Sequence, residues 1–180
     1  GLYVAAKGGH NGESHNHNDI GNFIVYADGE PEIIDVGNCV YTAKTFGAER
    51  YELMNTRSKN HNVPLIGSME QVCGRQYAAK DVRADENGVR MNIAGAYPDH
   101  VISLIRKIEI DKDRLTISDE VTLDKAEDVT FTLMLGHEPT IQNGYAVFGK
   151  LSMTFDPAMT VSLEEIPVTD ARMAKNFPGS

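Results

Sequence analysis

Turn chemistry interrupts this sequence too often for long helices and at a spacing that suits strands. "NFIVYADGEPEIIDVG" reads as strand, Asp-Gly turn, strand. "KDVRADENGVRMNIAGAY" reads as a hairpin around Glu86-Asn87-Gly88. "HVISLIRKIEIDKDRLTISDEVTL" gives two strands joined at Asp111-Lys112-Asp113, and "VTFTLMLG" and "YAVFGKLSMTFDP" continue the series. Turns recur about every 8 to 12 residues, the rhythm of a sandwich or barrel. The expected fold is all-β: an antiparallel two-sheet β-sandwich with one or two short helices. The helical candidates are Ala48–Asn55 and Thr169–Asn176, the second with Thr169 as N-cap.

At 180 residues the chain suits a single domain, and 41% apolar residues can fill a core. No apolar run approaches the ~20 residues of a membrane span. The net charge of −9 disfavours nucleic acid and anionic membranes as partners. It also suits a polyanionic substrate poorly unless another surface supplies positive charge. Cys39 and Cys73 form no CxxC pair and read as free thiols.

Three of the 6 histidines fall within "GGHNGESHNHNDI", Gly8 to Ile20. On a strand, His15 and His17 would project to one face, with Asp19 in line. Such a pair can bind a metal, divide between metal and substrate, or be polar surface. A zinc site needs three or four N, O or S ligands at about 2.0–2.2 Å. Asp35, at the end of the strand hairpin-paired to "FIVYA", is the best added carboxylate. His61 in "SKNHNVPLIG" is the best third imidazole. The set His17, Asp35 and His61 suits zinc. Asp35 reads equally as the start of a "DVG" turn, and His61 as a polar residue before a strand. His100 and His137 read as structural or surface groups. Gly9, His15 and His17 match the opening of a cupin metal motif, but Gly21 and Asn22 stand where its Glu belongs.

Three ordered blocks carry a more specific signal. They are HxHxDxGxF from His15 to Phe23, the IDxG ending at Gly37, and the His61-Asn62 pair before a strand. Together, Lys7–Gly37 and Tyr41–Gly67 resemble the heparinase II/III-like polysaccharide lyases; "IPVTDARM" resembles the family's late region. The resemblance implies that residues 1–180 are the single C-terminal β-sandwich domain of a larger lyase. The chain would then lack an N-terminal α/α toroid and perhaps the last strand or strands.

That resemblance implies β-elimination at a uronic acid residue of a glycosaminoglycan or alginate-like chain. The substrate carboxylate must be neutralised, the C5 proton removed, and the departing O4 protonated. His15 matches the histidine that reaches the cleft, where an imidazole can shuttle protons near neutral pH. His17, Asp35 and His61 match the ligands of a zinc whose role is mainly structural. A bend or bulge near Asn16 would separate the two histidines. Asn11, Glu13 and Asn18 would orient the loop or contact substrate. The tyrosine acting with His15, and most of the basic groove, would lie on the toroid, so this chain alone would be inactive. Tyr26 and Tyr41 read as strand-packing aromatics, and Arg106 as a strand salt-bridge partner. A periplasmic or secreted location goes with the family. The alternatives are a self-contained cupin-like metal-binding protein and a noncatalytic carbohydrate-binding sandwich.

Overall fold

The computed structural model describes residues 1–176. The first strands are β1 (Leu2–Ala6), β2 (His10–Asn11), β3 (Phe23–Ala27) and β4 (Glu30–Ile33). Asp28 and Gly29 both take positive φ, 49° and 83°, the two-residue turn whose twist matches a hairpin. It closes the antiparallel sheet β1-β3-β4. Short 3-10 turns then fill most of Ala43–Asn60. β5 (Pro64–Ile66) and β6 (Gly74–Ala78) follow.

The second main sheet is one antiparallel meander: β7 (Lys80–Asp85), β8 (Gly88–Asn92), β9 (Val101–Asp111) and β10 (Arg114–Leu123). Its turns fall at Glu86-Asn87 and Lys112-Asp113, where the sequence places them. β11 (Val129–Phe131) pairs with β5; β12 (Thr140–Gln142), β13 (Tyr145–Phe148) and β14 (Leu151–Thr154) make a three-stranded sheet. α1 (Met173–Asn176) closes the described chain.

Phe23, Val25 and Ile33 of the first sheet meet Ile108 of the second and Phe148 of β13. Burying each such side chain contributes about 1.5–3 kcal/mol. A second cluster joins Ile20 and Ile66 to Met91, Ile93, Tyr97 and Leu104. The molecule is thus an all-β sandwich of antiparallel sheets.

Local structure departs from the sequence reading in three places. Residues 12–22 are not a strand; turns and bends run until β3 begins at Phe23. "VTFTLMLG" stops being a strand after Phe131, because the Asn62 side chain accepts the Met134 N–H. Ala48–Asn55, a candidate short helix or turn, does form successive 3-10 turns. At α1 the Asp170 carboxylate, not Thr169, accepts the N–H groups of Arg172 and Met173.

Candidate functional site

Three loops converge at one edge of the first sheet. One is residues 12–22, one follows β4, and one precedes β5. His15 has φ 58°, left-handed and uncommon for a residue with a Cβ. That single dihedral, rather than a strand bulge, turns His15 and His17 apart. His15 is exposed; it stacks on Tyr41 (centroids 5.9 Å, planes 10° apart) and meets Phe46 edge-on at 6.2 Å. Tyr41 therefore lies on no strand and packs against the exposed imidazole instead. Tyr26 is a strand residue that meets Tyr3 edge-on.

His17 turns inward. Its ring lies 5.3 Å from that of His61, and ligand atoms of His17, Asp35 and His61 all lie within 4.8 Å of one another. His61 is fully buried. Its Nε2 donates to the Asn55 carbonyl at 3.0 Å, and its Nδ1 faces Asp35 Oδ2 at 3.0 Å. A ring held this way by a backbone carbonyl presents its other nitrogen to a metal, the usual arrangement of a ligand histidine. Two imidazoles and one carboxylate make a donor set that suits zinc. The buried Asn55 Oδ1 beside them has no hydrogen-bond partner among the described residues.

The electrostatics of the three are coupled. Burial alone would raise the Asp35 pKa, but the hydrogen bond and charge of His61, with the Gly37 N–H, hold it at about 2. Burial alone would lower that of His61; the Asp35 hydrogen bond and the charges of Asp19 and Asp35 reverse this, and the net shift is upward. Burial, then the charge of His61, lowers that of His17. These shifts favour an ionised Asp35 and favour protonation of His61 over that of His17.

Buried amides hold the loops. Asn22 donates to Asp35 Oδ2 at 2.7 Å and accepts the Asn62 N–H. Asn62 donates to the carbonyls of Phe23 and Ile34. Gln71 brackets Ile20 through its N–H and C=O. Tyr51 and Arg50 fix Asn16, the residue between the two histidines. Lys7 pairs with buried Asp19. Beneath all of these, Arg106 is bidentate to Asp119 and donates to the carbonyls of Gly21 and Asn62. Its expected strand salt bridge is therefore present and buried.

A family profile described as heparinase II/III-like, C-terminal, matches residues 2–165. This chain belongs to the heparinase II/III-like family. No curated protein sequence matches it significantly. Solved structures share its fold, two of them as follows. A heparan sulfate lyase HepC mutant from Pedobacter heparinus is 16% identical with a TM-score of 0.61. A structure of heparinase III is 19% identical with a TM-score of 0.53. Each alignment covers 81% of this chain, but only 23% and 26% of those chains.

In this heparinase II/III-like domain the remaining sequence candidates are placed as follows. Glu13 is exposed on the His15 loop. Asn11 is fully buried and donates to Gln71. Asn18 is also buried, its carbonyl accepting from Ser58. Cys39 and Cys73 are free thiols. His100 lies between Asp99 and Asp124, partners that sequence reading did not foresee. Asn22, Asn55, Gln71 and Tyr51 were also not anticipated. For Asn22 and Asn55 the one advance signal is the density of Asn in residues 11–22 and 55–62; Gln71 and Tyr51 have none.

Proposed function

We propose that this chain is the β-sandwich module of a polysaccharide lyase that cleaves a uronate-containing glycosaminoglycan by β-elimination. The observation that carries this reading is the division between neighbouring histidines. Exposed His15 is available to a substrate, while His17 is committed to a half-buried cluster with Asp35 and His61. Family membership supports the reaction class. In that reaction a base takes the C5 proton, the C4–O4 bond breaks, C4=C5 forms, and O4 gains a proton. His15 would move a proton or help neutralise the substrate carboxylate, and Glu13 would contact substrate. The Tyr41–Phe46 bracket limits the directions in which the His15 ring can face.

His17, Asp35 and His61 would hold a structural zinc. When bound it would supply a cross-link among three loops that hydrogen bonds already align. The second base, and further positive charge for a chain of net −9, would come from a toroid domain of the same protein. A periplasmic or secreted location accompanies this reading. The cupin alternative is disfavoured, because the cluster sits on loops at a sandwich edge and not inside a barrel.

Two measurements test the proposal. Metal analysis of the purified chain should find near-stoichiometric zinc, lost in His17→Ala and Asp35→Ala. A folded, unchelated chain without metal would sink the zinc assignment. In the full-length protein, His15→Ala should abolish the ultraviolet signal of unsaturated uronate while leaving zinc content unchanged. Undiminished turnover would remove His15 from the mechanism. Oligosaccharide binding without any turnover by the full-length protein would favour the noncatalytic sandwich.

A further inference from the structure

The outer face of the β7–β8–β9–β10 sheet carries like charges in register. Arg83 lies directly opposite Arg90, Arg90 opposite Lys107, and Lys107 opposite Ser118. Directly opposed residues share a face, so the cations stand in one line across three strands. At roughly 4.8 Å per strand the line is about 10 Å long. The rows on either side, Val89–Ile108–Ile117 and Met91–Arg106–Asp119, point into the protein. Arg83 and Arg90 are exposed and Lys107 is half-buried.

Like charges directly opposed destabilise a sheet. None of the three forms an ion pair among the described residues. The nearest acidic residues on the face, Asp85, Glu109 and Glu120, lie one step along the strands, and Asp111 lies two. A bulge creates the alignment. Pairing runs from Lys80↔Asn92 to Arg83↔Arg90, three steps on β7 against two on β8. In a regular ladder Val82 would face Arg90. The extra residue, with Asp81 at φ 52°, replaces an apolar group with a third cation.

We propose that this row binds the sulfate or carboxylate groups of an acidic polysaccharide, on residues other than those of the His15 loop. The choice of polysaccharide rests on the lyase reading above; the row itself rests on register alone. A chain of net −9 repels polyanions at long range, so contact depends on a local line of cations. The row offers point charges without an aromatic platform, whereas single-stranded nucleic acid is held largely by stacking on aromatic side chains.

Calorimetric titration of this chain with heparin, a sulfated polysaccharide probe, tests the idea. Binding is expected at low salt and weakens as salt rises. The triple variant Arg83→Ser, Arg90→Ser, Lys107→Ser should lose about tenfold or more in affinity, because charge contacts dominate such binding. It should melt no lower than wild type, since repulsion is removed. Lys125→Ser, which removes an exposed cation outside the row, should bind as wild type does. Absence of heparin binding at low salt would overturn the proposal, as would a folded triple variant that binds undiminished. Equal competition by single-stranded DNA would overturn the polysaccharide assignment. Heparin binding by an otherwise inactive full-length protein would overturn the lyase reading and leave the row standing.

Discussion

Arg106 and Asp119 offer the sharpest stability test, because both side chains are almost wholly enclosed: 3% and 1% exposed. The guanidinium donates two bonds to the carboxylate, at 2.8 and 2.6 Å, and two more to the Gly21 and Asn62 carbonyls, at 2.7 and 2.6 Å. Asp119→Ala leaves the charge buried with two N–H groups unpaired. Breaking a buried pair from one side costs about 3–5 kcal/mol. For a domain of this size that corresponds to roughly 10 °C in melting temperature. Arg106→Met with Asp119→Leu should recover part of this, since an apolar pair of similar volume is often tolerated. Recovery should stay incomplete, because the Gly21 and Asn62 carbonyls lose their donor. Calorimetry and urea titration would read both variants. A loss below about 1 kcal/mol in Asp119→Ala, the range of an exposed pair, would refute the reasoning.

Other expectations follow from the same geometry. Asn22→Ala removes the 2.7 Å bond to Asp35 and the acceptor for Asn62 N–H, and should cost about 1–3 kcal/mol in a urea titration of the chelated chain. Asp35 is shifted from 3.8 to about 2, so its stabilisation is present above pH ~3.8 and fades as pH falls towards 2. His61 is shifted upward, so its stabilisation is present below pH ~6.5 and fades as pH rises past its folded value. In the chelated chain, Asp35→Asn should therefore cost most between about pH 4 and 6.5, by roughly 2 kcal/mol; a pH-independent loss would argue against the ion pair. Gly12→Ala would set a Cβ 2.5 Å from the Arg75 backbone nitrogen. It should displace the loop from β6 and lower the melting temperature, and an unchanged melt would refute that close approach.

Much of the fold was legible because its signals are local. Asp28-Gly29, Glu86-Asn87 and Lys112-Asp113 set their own turns through backbone preference, whatever packs around them. The grouping of His17, Asp35 and His61 was legible from residue chemistry, hairpin geometry and family pattern together. The conformation of the loop was not. Nothing about His15 shows in advance that it adopts a left-handed φ, because Tyr51, Arg50, Ser58 and Gln71 hold the loop from 34 or more positions away.

The sequence by itself therefore determined the sheet-forming segments, the hairpin turns and the supply of ligating side chains. Each depends on a residue and its near neighbours. Tertiary structure alone decided the backbone turn that parts the two histidines, that Asn11 is enclosed, and that Asn22 and Asn55 flank the cluster. It also decided that Arg106 ties two loops from below and that a bulge aligns Arg83 with Arg90. These outcomes depend on where distant backbone donors and acceptors come to rest when the sheets close over one core. A buried polar group takes whichever partner that closure brings within reach.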